Sequence, residues 1–234
     1  MVDGSFQTAS ESLSDSNRRI SEIAHPFLQF LPVSGVSIST FGSFLGAETI
    51  SATDARAGRI DELQFDLGEG PCWDALLNRR PVLEPDLARR TSAGWPAFLD
   101  AIRDEKVGAI FAFPLLFGPL EIGAVDLYSV APVALTPDQQ RQTLALSDIV
   151  SRLLLRQAIT DDSAPDDSPT FSRRIIHQAT GMVLAQLGVN AADALLIING
   201  YAFARGRTVR DVAADIVARR IDFAEEWAEP SESL

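Results

Sequence analysis

The chain has 234 residues, 46% of them hydrophobic and 22% charged, with a formal net charge of −12. That length and apolar content support packed cores and exclude disorder of the chain as a whole. One cysteine, Cys72, excludes an internal disulfide framework and a cysteine-based zinc site, and two histidines, His25 and His177, leave little for a metal centre. Neither a metal nor another cofactor is expected. No apolar run approaches the roughly 20 residues that cross a bilayer. The first residues, MVDGSFQTASESLSDS, lack the basic end and apolar stretch of a signal peptide, so a cytoplasmic protein is expected.

In chain order, the pattern predicts a helix from about Asp15 to Leu31. Val33 to Phe41 and the following GAETISATD alternate as a half-buried strand pair does. The GEG at Gly68 to Gly70 is too short for a phosphate cradle and reads as a turn, with Gly70 and Pro71 opening a helix. Another helix is expected near Trp95 to Glu105. GAIFAFPLLFG and EIGAVDLYS are β-rich runs joined across Gly118 and Pro119, a hairpin. Thr136 caps a long helix that reaches about Ile159 and carries Leu144, Leu146, Ile149, Val150, Leu153, Leu154 and Leu155. Its apolar surface is wide enough to pair with a second chain, or simply to pack on its own sheet.

The stretch DDSAPDDSPT, 161–170, has no apolar residue larger than alanine and reads as a linker. Beyond it the pattern is entirely helical. Ile175, Ile176, Ala179, Met182, Val183 and Leu187 form one stripe, which Gly188 stops. Asn190 caps a second helix with Ala194, Leu195, Ile198, Tyr201 and Ala202, ending near Gly206. Thr208, with Asp211 three residues on, opens a third that turns Val209, Val212, Ala213, Ile216 and Val217 inward. The expected fold is therefore α+β: an antiparallel sheet flanked by helices, followed by an all-α three-helix domain. So small a bundle buries little surface and is expected to lean on a neighbour.

Charge is unevenly spread. Between Phe171 and Phe223 seven arginines (Arg173, Arg174, Arg205, Arg207, Arg210, Arg219 and Arg220) face four acids, a net of +3 in a chain of −12. Residues before Phe171 carry −11 and the tail after Phe223 carries −4. A positive helical module suits a phosphate polymer, since Lys and Arg displace its counterions. Arg205, Arg207 and Arg210 bracket a helix end and a helix start, where backbone amides also meet phosphate. His177, Gln178 and Thr180 suit hydrogen bonds to loop bases, and Tyr201 suits stacking. The plain alternatives are a solvated arginine face, a solvent-facing His177 and a core Tyr201. Gly181 inside a helix costs about 1 kcal/mol relative to alanine, so a close approach by another helix or by an RNA backbone is expected there.

In the upstream domain, Trp73, Trp95, Phe111, Phe113 and Leu115 are candidates to line a sensor pocket, or are plain core. Cys72 near a helix start is a redox candidate if its thiol pKa is lowered, or a buried small apolar residue. No nucleophile-base pair, metal cluster or nucleotide fingerprint is present, so no catalysis is expected.

FDLGEGPCWDAL at Phe65 to Leu76, RPVLEPDL at Arg80 to Leu87, GWPAFLDAI and FAFPLLFGPLEIGAVDLYS together resemble the GAF family of sensor domains. RRIIHQATGMVLAQLGVNAADALL and YAFARGRTVRDVAADIVARR resemble the ANTAR family, and the pairing resembles actinobacterial GAF-ANTAR regulators. The resemblance implies a GAF sensor domain over 15–160, a linker over 161–170, an ANTAR RNA-binding domain over 171–223 and an acidic tail over 224–234. It also implies a homodimer that binds paired RNA stem-loops and promotes transcription antitermination, with a small-molecule ligand in the GAF domain and no membrane. Thr180 stands where many ANTAR domains carry lysine, and Asn199 where many carry arginine. That departure keeps a second reading open, a protein-interaction or dimerisation module with little intrinsic RNA affinity.

Overall fold

A computed structural model describes residues 2–14, 19–41, 47–91, 94–160 and 174–226. The chain divides into two compact units, Met1–Phe171 and Ser172–Leu234, each with its own hydrophobic core. The expected linker 161–170, Arg173 and residues 227–234 of the tail lie outside the described residues.

The first unit is built on five antiparallel strands, β1 (Gly35–Thr40), β2 (Glu48–Ala52), β3 (Val82–Glu84), β4 (Ala109–Phe117) and β5 (Leu120–Ser129), in the order β2-β1-β5-β4-β3. β4 and β5 are the expected hairpin, turning at Gly118 with φ 56°. Pro114, which has no N–H to give a ladder, sits in β4 beyond the last residue that pairs with β3. One face of the sheet packs under α1 (Val2–Ser14) and α5 (Pro137–Thr160), the other under α2 (Ala55–Leu67), α3 (Pro71–Asn78) and α4 (Pro96–Ala101).

Two helices differ from the expected pattern. Residues 20–29 form short 3-10 turns, Ile20–Glu22 and His25–Gln29, in place of a continuous helix. Pro26 opens the second turn, and a proline removes the donor that a helix interior would need there. The helix lies upstream instead, where Ala9 and Leu13 of α1 are buried. α2 was not anticipated. The Asp54 side chain caps it by accepting from the Ala57 amide at 3.0 Å, and Gly68 ends it at φ 65°. Its inward residues include Asp61 and Gln64, both fully buried, and these break the apolar stripe that would have revealed it.

α5 opens with a reciprocal cap. Thr136 Oγ1 accepts from the Gln139 amide at 3.2 Å, and Gln139 Oε1 accepts from the Thr136 amide at 2.9 Å. Leu146, Val150 and Leu154 pack in the core with the apolar face of the sheet. Beside them Thr143, Ser147 and Ser151 are buried, each hydroxyl donating to the carbonyl four residues back. Those local bonds let small polar side chains lie in the interior without an orphaned hydroxyl.

The second unit comprises α6 (Arg174–Leu187), α7 (Ala191–Ala204), α8 (Val209–Val217) and a short α9 (Phe223–Glu226) that adds one turn to the three helices expected. Gly188 at φ 67° ends α6. The Asn190 side chain accepts from the Asp193 amide at 2.9 Å, and Thr208 Oγ1 from the Asp211 amide at 3.0 Å, so both expected caps form. Ile176, Ala179, Val183, Ala194, Ile198, Ala202, Val212, Ala213, Ile216 and Phe223 make the core. Among the described residues no single helix is long and apolar enough to cross a membrane.

Candidate nucleic-acid interface and buried polar site

In the second unit the cations gather where α7 ends and α8 begins. Arg205 is exposed, and its guanidinium lies 3.5 Å from the centre of the Tyr201 ring. Tyr201 in turn meets Phe223 edge-on at 5.1 Å. Its ring is therefore engaged by the core on one side and by Arg205 on another, so a stacking base would have to displace the guanidinium. Arg207 donates to Asp215 Oδ2 at 2.6 Å, and Arg220 donates to Asp215 Oδ1 at 2.6 Å. Hydrogen bonds from Arg207, then Arg220, hold the Asp215 carboxyl below its ordinary range. One carboxylate thus braces two guanidiniums at the surface, with Arg220 63% and Arg207 37% exposed. Arg210 is half-buried. The Arg174 side chain, like the whole of Arg173, lies outside the described residues.

On α6, His177, Gln178 and Gly181 are exposed, while Thr180 is half-buried and donates its hydroxyl to the Ile176 carbonyl at 2.7 Å. A Cβ at Gly181 would meet nothing within 4 Å, so close approach by the unit's own helices does not account for this glycine. The same holds for Gly200 on α7. α7 also exposes Leu196 (69%) and Phe203 (83%). Residue-by-residue reading missed Phe203. Its signal was an aromatic off the apolar stripe of a helix with no charge after Asp193.

The five pocket candidates of the first unit do not converge. Phe111, Phe113 and Leu115 occupy alternate positions of β4 and pack under α1 and α5. Trp73 and Trp95 belong to the clusters on the opposite face. Trp95 is buried with the Arg90 guanidinium 4.1 Å from its ring centre, and its Nε1 donates to Asp74 at 3.0 Å. Trp73 donates to the Gln64 carbonyl at 2.8 Å and meets Phe41 edge-on at 4.9 Å. The structure thus places three of the five in the core under α1 and α5 and the two tryptophans, carried by α3 and the start of α4, in separate clusters on the other face, so the five do not share one pocket.

Of its two readings, Cys72 fits the buried small residue and not the redox thiol. It is fully buried, and burial, then the charges of Asp126 and Asp61, push its thiol well above the usual range. A redox thiol needs a stabilised thiolate and access; this site offers neither, so Cys72 is a packed small residue.

What the α2 and α3 face does hold is a buried polar group. Asp126 of β5 is 3% exposed, and Asp61 and Gln64 of α2 are fully buried beside it. Burial, then the Asp61 charge, raise the Asp126 carboxyl well above its ordinary range. Thr49 donates its hydroxyl to Asp61. Gln64 Oε1 accepts from the Cys72 amide at 2.8 Å, which orients the side-chain amide. Gly70, at φ 139°, makes room for this, since a Cβ there would lie 2.5 Å from Gln64 Oε1.

Comparison with known families and structures matches residues 18–154 to the GAF domain and residues 171–217 to the ANTAR domain. The first unit resembles the GAF domain of a phosphoenolpyruvate-protein phosphotransferase from Coxiella burnetii, with a TM-score of 0.55 at 8% identity over 68% of this chain and 96% of that one. It also resembles the GAF domain of the Acinetobacter phosphoenolpyruvate-protein phosphotransferase, at 0.52 and 10% identity over 70% and 96%. These likenesses establish the fold. Comparison with curated proteins gives no match.

Proposed function

Because the chain belongs to the GAF domain family and carries an ANTAR domain behind it, we propose that it is an RNA-binding transcription antitermination regulator of the actinobacterial GAF-ANTAR type, and not an enzyme. The observation that carries this reading is the ANTAR match falling on the small helical unit whose arginines gather at the α7/α8 junction of an otherwise acidic protein. Arg205, Arg207 and Arg210, with Arg173 and Arg174 at the start of the unit, supply phosphate charge. His177, Gln178 and Thr180 supply hydrogen bonds to loop bases. A homodimer doubles the footprint, matching paired stem-loops in nascent RNA. The GAF unit acts as the sensor, taking a small molecule and altering how the helical units are presented. The protein works in the cytoplasm without a membrane partner.

The test is affinity for tandem stem-loops against a scrambled RNA at two salt concentrations. With about four phosphates engaged, log K should fall with log salt at a slope of about −3, from about −0.7 to −0.9 per contact. A flat response and no preference for the stem-loops would refute the reading. The exposed Leu196 and Phe203 favour a second reading, in which the helices chiefly dock a protein. Replacing Arg205, Arg207 and Arg210 with alanine separates the two: it should weaken RNA binding at least tenfold and leave an apolar association intact.

A further inference from the structure

Phe203, in the last turn of α7, is 83% exposed, more than any other large apolar side chain among the described residues. The inward stripe of its helix is Ala194, Ile198 and Ala202, and Phe203 lies off it. The ring contacts of this unit are made by Tyr201, which meets Phe223 and carries the Arg205 guanidinium.

Two features leave the Phe203 ring open and give it a charged neighbour. Gly200 stands three residues before it, so the two positions share one face of α7. A helical side chain leans back over the turn before its own Cα, and that turn carries no side chain at 200. A Cβ at Gly200 would meet nothing within 4 Å, so packing within the unit does not require a residue that is unfavourable in mid-helix. On the other side the chain folds back on the helix end. The Gly206 amide donates to the Phe203 carbonyl at 3.1 Å, and the Arg207 amide to the Ala202 carbonyl at 3.0 Å. That turn holds Arg207 beside the last turn of α7, with its guanidinium 37% exposed and braced by Asp215.

An uncovered aromatic face, a bare helix turn and a fixed cation thus lie together at the end of α7. An unpaired RNA base stacks on such a ring while the phosphate next to it meets a guanidinium. A docked protein would need a continuous apolar patch, but between Leu196 and Phe203 this face offers Asn199 and Gly200. The neighbouring charge is positive, which suits a polyanion.

We propose that Phe203 is the stacking platform for an unpaired RNA base, with Gly200 leaving the ring open and Arg207 meeting the adjoining phosphate. This rests on the RNA reading and adds a residue to it. Phe203 takes the part that Tyr201, covered by Arg205, cannot play without losing that contact.

The probe is a tandem stem-loop RNA with all-adenosine loops, compared with the same RNA carrying abasic loop nucleotides, which keep the phosphates and lack the bases. Both are titrated against the full-length protein. Phe203→Ala should bind the adenosine-loop RNA about 5- to 100-fold more weakly, Phe203→Leu nearly as weakly, and Phe203→Trp within about twofold of the wild type. On the abasic-loop RNA the wild type and Phe203→Ala should bind alike. The slope of log K against log salt should be the same for both, since no ionic contact is lost. Circular dichroism and Tm of Phe203→Ala should match the wild type, because the side chain is exposed. Gly200→Leu, which would cover the ring, should bind severalfold more weakly with a Tm no lower than the wild type's.

Equal affinity of Phe203→Ala and the wild type, a loss of the same size on the abasic-loop RNA, or full binding by Phe203→Leu would overturn the proposal. Unchanged RNA affinity with a smaller assembly in Phe203→Ala would also overturn it and assign the ring to a protein partner. A wild type with a flat salt response and no stem-loop preference fails at the RNA reading itself. A wild type that binds as expected while Phe203→Ala binds equally well fails here alone.

Discussion

Asp126 costs the fold something that its strand neighbours Val125 and Leu127 do not. All three are buried, but only the carboxyl must either shed its charge or hold it beside Asp61. Its pKa is raised on folding, so over the window that opens at the ordinary carboxylate range and extends upward, the native state binds a proton that the unfolded chain has released. Stability contributed by this site is therefore present at low pH and falls as pH rises through that window. Asp126→Asn, nearly the same shape without the charge, should melt higher than the ligand-free wild type at pH 8, with the gap shrinking toward pH 5. Thermal melts across that range check it, and a gap that does not change with pH would contradict the assignment. In the sequence Asp126 was one polar letter within a β-rich run. What gives it meaning, Asp61 lying against it from 65 positions earlier, is a long-range fact that local pattern does not carry.

At the scale of elements, the junction of α7 and α8 combines a cap, a brace and a stack. Thr208 starts α8, Asp215 near its end holds Arg207 and Arg220, and Arg205 covers Tyr201. Asp215 is thus both a positioner of two cations and a negative charge that a phosphate would meet. Asp215→Asn should bind RNA several times more tightly at low salt and show a steeper salt dependence, since it adds one net positive charge and releases two guanidiniums. Fluorescence anisotropy on the stem-loop probe reads this directly; weaker binding would mean that the brace, rather than the net charge, sets the phosphate geometry. The caps at Thr136, Asn190 and Thr208 were legible in the sequence because capping is settled within three residues. α2 was not, because its inward face carries Asp61 and Gln64, residues that periodicity assigns to solvent.

For the whole molecule the governing fact is the split of charge, with −11 before Phe171 and +3 between Phe171 and Phe223. Opposite fields on one chain attract at low ionic strength, so under the proposed RNA reading masking of the arginines by the acidic residues is a prediction. Deleting Met1 to Thr160 should then strengthen RNA binding, with the gain fading as salt rises toward 0.5 M, where screening extends over only about 4 Å. Affinities of the two chains measured across a salt series test this. Unchanged or weaker binding after deletion would count against masking.

The sequence by itself determined what depends on neighbours a few residues apart. It set the strand runs and their hairpin, the helix of residues 137–160, the three capped helices beyond residue 170, and the concentration of arginine among them. Tertiary structure decided which of these residues meet. It placed Phe111, Phe113 and Leu115 on the opposite side of the sheet from Trp73 and Trp95, buried Cys72 of α3 against the sheet, and brought polar residues of β1, β5 and α2 together as no single segment displays. The physical reason is register: a strand side chain's face follows from which residue pairs with which across the ladder, and that pairing is fixed only when the strands pack.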